Sequence, residues 1–368
     1  LSDRPGHAGA TGGPVLFITG HVPAYRVGAL SRLNERQHIE VAVFGGDRLH
    51  GGPDPRGPLP FTLFHAGPRK LYELAAGGRY RAVVCPTGGR AALLAGWAGA
   101  RAGHVPLILW ASLWAHPRTP AHVLSYLPLR RLYRSAQAVV TYGPHVSAYV
   151  RARGARNVFE ATQAVDNDFW SAPHVPEPAL DGWPRGELTR FVFVGRPARE
   201  KGRGVLLDAW AQAGPPADSA LVLVGARAEG APDGFVGSIH ALGNLDRERL
   251  REVYAHADVL VVPSIPTRSF REPWGLVVNE AMNRRLAVIA SDAVGAAAGG
   301  LVRDGDTGIV VPAGDPGALA AAIGRLAGSP ELRGRLGAAG ARAVSTYTYG
   351  AWAEGFTRAL GSAGVAAG

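Results

Sequence analysis

The chain has 368 residues, 47% of them hydrophobic and 18% charged, with a formal net charge of +10. That length exceeds one comfortable core and suits two domains, while the composition excludes a disordered chain. The single cysteine, Cys85, excludes an intrachain disulfide and a multi-cysteine zinc site, and no apolar run reaches the ~18 residues of a membrane-spanning helix.

The residues up to Pro14 are rich in Gly and Ala and lack the apolar centre of a signal peptide, so 1–14 reads as a disordered leader and a cytoplasmic location is expected. Val15–Thr19 is a short apolar strand, followed by the loop Gly20-His21-Val22-Pro23-Ala24-Tyr25-Arg26 and a helical segment, Val27–Arg36. Strand-like runs recur at Ile39–Phe44, Ala82–Cys85, Pro106–Trp110 and Ala138–Thr141, with helical segments at Arg90–Ala102 and Val123–Ser135. Cys85 ends an apolar run and reads as a buried strand residue, not a nucleophile. In Leu127-Pro128-Leu129-Arg130-Arg131-Leu132-Tyr133-Arg134, helical spacing puts leucines on one side. The arginines then form a solvated surface, with contact to an anionic membrane as the alternative.

Pro and acidic residues over 173–186 break this alternation and mark a linker between a first domain, 15–172, and a second, 187–345. Strands then follow at Phe191–Val194, Ala220–Val224, Val259–Val262, Ala287–Ala290 and Gly308–Val311. Helices are expected at Gly204–Ala213, Arg247–His256, Gly317–Leu326 and Pro330–Ala338. A last stretch, 346–368, carries Trp352 and Phe356 on one face of a helix, Gly350–Leu360, which would pack back on the first domain. The βα alternation implies parallel sheets with helices on both faces, hence two Rossmann-like, doubly wound α/β domains with a ligand cleft between the carboxyl ends of their strands.

Two places carry chemistry. In Phe193-Val194-Gly195-Arg196-Pro197-Ala198-Arg199-Glu200-Lys201-Gly202 a strand runs into a loop with two cations five residues apart, able to neutralise a diphosphate without metal. Lys201 stands out because the only other lysine is Lys70; otherwise the basic residues are arginines, scattered instead of gathered, and no nucleic-acid partner is expected. Later come Glu272 and Glu280, the first in a loop with Pro273 and Gly275, the second inside the apolar segment Leu276–Met282, which reads as a helix whose start would offer N–H groups and a positive dipole end. Such carboxylates accept from sugar hydroxyls. The strings Asp166-Asn167-Asp168 and Asp304-Gly305-Asp306 read as turns, not as metal ligands.

Together, Phe193-Val194-Gly195-Arg196…Lys201-Gly202, Glu272…Glu280, Ile289-Ala290-Ser291-Asp292…Gly295 and Asp304-Gly305-Asp306-Thr307-Gly308 resemble family 4 of the retaining GT-B glycosyltransferases, most clearly over 190–325. The resemblance implies a GT-B fold and a nucleotide diphospho-sugar donor, UDP-sugar favoured, bound mostly on the second domain. No metal or other cofactor is implied. Matched by position, Arg196 and Lys201 would hold the diphosphate, Glu280 the ribose hydroxyls and Glu272 the transferred sugar. Gly195, Pro273, Trp274, Gly275 and Leu276 would add loop and backbone contacts, Asn244 and Leu245 would cradle the base, and Gly20 would approach the diphosphate. Tyr25, Arg26, Trp110, His116 and Tyr142 would line the site of a hydroxyl acceptor, a saccharide, lipid-linked or small natural product. Two features depart from the family pattern: the first loop reads His21-Val22-Pro23 where many members have paired glycines, and the strand at Pro106–Trp110 is followed by Ala111-Ser112, with His116 the nearest histidine. The implied activity is hexosyl transfer with retention by front-face attack. Competing readings are a nucleotide-sugar epimerase of the same fold and, from another class, a basic protein of membrane surfaces or nucleic acid.

Overall fold

A computed structural model describes residues 12–45, 57–117, 119–173, 177–214, 218–225 and 239–366, with side chains undescribed at 121–123. Of the leader expected over 1–14, residues 1–11 lie outside the described residues, whereas Pro14 is buried and Gly13 accepts from Arg81 Nη1 at 2.5 Å, so the order of the first unit begins before its first strand.

The chain divides into two compact units, one made of residues 1–116, 120–163 and 349–368 and the other essentially of 164–348. In the first unit β1 (Val15–Thr19), α1 (Ala24–Gln37), β2 (Ile39–Val43), β3 (Thr62–His65), α2 (Pro68–Ala76), β4 (Ala82–Pro86), α3 (Arg90–Ala102), β5 (Leu107–Ala111), α4 (Pro120–Ser135), β6 (Ala138–Thr141), α5 (Pro144–Arg151) and β7 (Val158–Glu160) follow in order. The strands form one parallel sheet, β3-β2-β1-β4-β5-β6-β7. β1, β2, β5 and β6 are buried at every position, because helices cover both faces of a parallel sheet and leave no polar side for alternation. Cys85 lies in β4 with its thiol pKa raised by burial, as befits a strand residue. α4 departs from its expected facing: Leu132 is buried and Leu129 packs beside it, but Leu124 and Leu127 are 81% and 69% exposed, so leucines lie on both sides of that helix.

The second unit runs α6 (Asn167–Ser171), β8 (Thr189–Val194), α7 (Arg203–Ala213), β9 (Ser219–Val224), β10 (Ile239–Gly243), α8 (Arg247–Ala255), β11 (Val259–Val262), α9 (Val277–Asn283), β12 (Ala287–Ser291), α10 (Gly295–Ala298), β13 (Ile309–Val311), α11 (Pro316–Ala327) and α12 (Pro330–Val344). Its sheet is also parallel, in the order β10-β9-β8-β11-β12-β13. A last helix, α13 (Tyr349–Ser362), belongs to the first unit, where Trp352 and Phe356 are fully buried against Phe17 of β1 and Trp110 of β5.

Each sheet winds outward from its first strand to one edge and then restarts on the other side of that strand, so each has a switch point, at β1/β4 in the first unit and at β8/β11 in the second. Within each unit the switch point leaves a crevice at the carboxyl ends of its own strand pair, where doubly wound sheets bind ligands.

Candidate functional site

The loops after β8 and β11 meet at the second unit's switch point. After β8 the chain turns through Gly195, whose N–H donates to Val224 O at 3.0 Å, and makes a short 3-10 turn, Arg199–Lys201. Gly202 ends that turn at φ 71°, and a Cβ there would lie 1.9 Å from the Pro263 carbonyl oxygen, so only glycine lets this loop close against the loop after β11. The closure delivers Lys201 Nζ to Glu272 Oε2 at 2.6 Å, across 71 positions of sequence.

Glu272 is 8% exposed, and its backbone is fixed by a bridge to Val294 and by the Gly295 N–H donating to its carbonyl at 3.1 Å. Gly295 sits against the same loop, with the Pro273 carbonyl oxygen 2.0 Å from where a Cβ would stand. A carboxylate held by the backbone beside an ammonium gives a fixed acceptor and a fixed donor side by side. Sequence reasoning assigned them to different parts of a ligand and did not pair them.

Arg196 lies half exposed at 51%, with Nη2 donating to Glu200 Oε1 at 2.6 Å; Glu200 was not singled out, although its i,i+4 spacing from Arg196 is a readable signal. α9 runs from Val277 to Asn283, the expected seven-residue helix shifted by one position. Trp274 is buried, its indole N–H donating to Asn279 Oδ1 at 2.7 Å, its ring 5.7 Å from Tyr347 and its carbonyl accepting from Ala296 N at 2.8 Å, so it holds the loop. Pro273, Gly275 and Leu276 are partly exposed along the same loop. Asn244 is exposed and Leu245 partly buried directly after β10, whose last residue, Gly243, accepts from Gly225 N at 2.7 Å.

Glu280 is partly buried in the first turn of α9 and accepts from the Tyr254 hydroxyl at 3.2 Å. Loss of hydration pushes its carboxyl up to about 7, against the opposing pull of the Tyr254 hydrogen bond and the Arg247 charge. Tyr254, its own pKa raised well above the usual value by burial, stays protonated and donates, a partner that nothing in the sequence of α8 announces. Because the folded-state pKa lies above the ordinary 4.5, the folded protein holds the proton more tightly, and stability falls as pH rises from ~4.5 through about 7. A Glu280→Gln variant keeps an acceptor for Tyr254 and loses the charge. At pH 8 it should resist urea better than the parent by about 1–2 kcal/mol, with the two alike near pH 5.

At the first unit's switch point a cavity of about 220 Å³ is lined by Gly20, His21, Tyr25, Arg26, Trp110, Ser112 and Tyr142, among others. Arg26 donates through Nη2 to Gln163 Oε1 at 2.8 Å, and its guanidinium lies 5.1 Å from the Trp110 ring and 5.4 Å from that of Tyr25. His116 is elsewhere: it does not line this cavity but pairs Nδ1 with the Tyr149 hydroxyl at 3.1 Å and meets the Tyr126 ring edge-on at 5.2 Å.

Of the two Asp-rich strings expected as turns, Asp304-Gly305-Asp306 forms one, whereas Asp166-Asn167-Asp168 starts the helix α6. Asp166 caps α6 by accepting from Phe169 N, Asp304 accepts from Val310 N, and Asp306 pairs with Arg303 at 2.6 Å. No group of three or more potential ligands that could hold a metal occurs among the described residues.

Residues 189–329 match the family model Glycosyl transferases group 1. The chain is 37% identical over 178 residues to the phosphatidyl-myo-inositol mannosyltransferase of Mycobacterium leprae, covering 47% of this chain and 46% of that protein. It is 40% identical over 121 residues to a D-inositol 3-phosphate glycosyltransferase of Streptomyces griseus, covering 31% and 24%. The matched stretch therefore spans less than half the length of these curated relatives. In structure the chain is similar to Anabaena Alr3699/HepE in complex with UDP and glucose, with a TM-score of 0.73 at 18% identity over 95% of this chain and 100% of that one. It is likewise similar to the sucrose-phosphate synthase of Thermosynechococcus elongatus, with a TM-score of 0.70 at 21% identity over 94% and 98%. Two parallel sheets of seven and six strands flanked by helices are the GT-B fold.

Proposed function

We propose that the chain is a retaining glycosyltransferase of the family 4 type, moving a hexose-type sugar from a nucleotide diphospho-sugar to the hydroxyl of a saccharide, lipid-linked or small natural-product acceptor. The observation that carries this reading is the Lys201–Glu272 pair at the β8/β11 switch point, inside the segment that matches the glycosyltransferase model. In such a donor the C1–O bond to the diphosphate breaks, and negative charge gathers on the departing oxygens. Lys201 and Arg196, fixed beforehand by Glu272 and Glu200, stand ready to take that charge without reorganising, which is the largest electrostatic contribution a site can make. They also supply the positive charge for which a divalent cation would otherwise be needed, so transfer should persist in a chelator.

Glu272 plays two parts: it aims the ammonium and offers its carboxylate to the hydroxyls of the sugar. Glu280, ionised above about 7, accepts from the ribose hydroxyls while Tyr254 occupies one of its oxygens. No carboxylate is assigned as a nucleophile. The acceptor hydroxyl attacks C1 from the face the diphosphate leaves, the new C1–O bond forms as the old one breaks, and the hydroxyl proton passes to a diphosphate oxygen. Retention follows, and a product of inverted configuration would refute the mechanism.

The UDP bound by the Anabaena protein and the mannosyl and inositol chemistry in the names of the curated relatives favour UDP first and a polyol or lipid-linked polyol acceptor. Leu124 and Leu127, exposed on α4 beside the exposed Arg131, suit peripheral contact with an anionic membrane. A thermal-shift panel of UDP-, GDP- and dTDP-sugars tests the donor, since a ligand that binds only the folded state raises its melting temperature. UDP-sugars should give the largest shift, and a flat response to all three would end the reading.

A further inference from the structure

The cavity at the β1/β4 switch point contains a charge that the protein does not neutralise. Arg26 is 8% exposed, and no ion pair joins it to any described carboxylate. Its neighbours are the amide oxygen of Gln163, the Tyr142 side chain, with which it shares a hydrogen bond, and the faces of Tyr25, Trp110 and Trp352, the last at 5.6 Å. None of the residues lining the cavity is Asp or Glu. A second donor is also left over: the indole N–H of Trp110, in the same lining, is buried with no acceptor among the described residues. The cavity is further bounded by the start of α1, a 14-residue helix with no side-chain cap and no acidic residue in its first turn.

Burying a cation without a counter-charge costs free energy, which ring faces and one amide only partly return. A guanidinium has five N–H donors in a planar fork, so donors remain for a bidentate oxyanion after Gln163 and Tyr142 each take one. At about 220 Å³ the cavity is smaller than the ~300 Å³ at which pockets for drug-sized ligands begin, and it suits an anionic group with one ring attached. We propose that this cavity is an anion subsite: Arg26 receives a phosphate monoester or carboxylate carried by the acceptor, while Trp110 and Tyr142 lie along the attached ring. The assignment to the acceptor rests on the transferase reading above; the anion subsite itself does not.

The experiment uses the full chain and measures thermal shift and calorimetric affinity for D-glucose 6-phosphate, D-glucuronate, inorganic phosphate and neutral D-glucose, each with and without saturating UDP. At least one of the two acidic sugars should bind at least tenfold more tightly than D-glucose, and the stronger of the two identifies the anion as phosphate or carboxylate. Arg26→Gln should abolish that preference and leave UDP affinity within twofold, while Arg26→Lys should recover part of the preference. Equal binding of glucose and both acidic sugars by the unmodified protein overturns the proposal without need of any variant. So does a loss of UDP affinity in Arg26→Gln as large as the loss for the acidic sugar, because that would give Arg26 to the donor diphosphate. Absence of any effect of UDP, GDP and dTDP alike on the unmodified protein refutes the transferase reading instead, and the arms without nucleotide still decide the anion subsite.

Discussion

A Lys201→Met variant should lose about 100- to 1000-fold in kcat while keeping its fold, the magnitude typical of removing one preorganised electrostatic donor from a site where charge develops. The ammonium is held at 2.6 Å from Glu272 and is only 24% exposed, so water replaces it poorly. The partner tests the same contact from the other side. Glu272→Ala should remove both the aim of Lys201 and the acceptor for the sugar, and in the double variant the losses should fall well short of their product, as expected for two residues acting as a unit. Steady-state rates on the donor identified by thermal shift, with circular dichroism to confirm the fold, read this out. A Lys201→Met enzyme within threefold of the parent, or a Glu272→Ala enzyme with full transfer, would remove the pair from the chemistry.

The second large effect is on stability. Phe356→Ala should cost about 3–5 kcal/mol, the range for deleting a buried aromatic side chain. Its ring lies 4.5 Å from Trp352, 5.5 Å from Phe17 and 5.8 Å from Trp110, all within the first unit, so the cavity it leaves is walled by rigid rings that cannot collapse into it. Since Trp110 lines the cavity proposed for the anion and Trp352 lies under Arg26, the same substitution should weaken acidic-sugar binding and spare the UDP binding proposed for the second unit. Urea unfolding followed by tryptophan fluorescence measures the first effect, and a loss below 1 kcal/mol would show that the aromatic cluster is not what holds α13.

Much of the fold was legible because a parallel sheet with both faces covered writes itself as short, unbroken apolar runs. Val15–Thr19, Ala138–Thr141 and Val259–Val262 were readable to the residue, and so was the helix Arg90–Ala102. Of the edge strands, Ile309–Val311 was legible within 308–311, but Thr62–His65, Val158–Glu160 and Ile239–Gly243 were not. Thr62–His65 and Ile239–Gly243 are only partly buried along their lengths, so neither an apolar run nor an alternation marks them, and Pro144–Arg151 is short and begins with proline. The site divides in the same way. Arg196, Lys201, Glu272 and Glu280 were identifiable as chemistry-bearing residues from type and setting, but the Lys201–Glu272 contact was not, because it depends on β8 and β11 being neighbours although β9 and β10 lie between them in the chain. Strand order is a property of the folded sheet, and side chains that meet across it carry no mutual signal in one sequence. Tyr254 and Gln163 escaped for the same reason: each acts through a partner on a different element.

The return of α13 to the first unit has a consequence for biosynthesis. Nearly all of the second unit lies in the stretch 164–348, which is synthesised before α13. The first unit's β1 emerges early but must wait for Trp352 and Phe356, an interval on the order of tens of seconds at ordinary rates of translation. During that time Phe17 and Trp110 lack the helix that covers them, so the unit whose synthesis begins first is the one whose core is completed last.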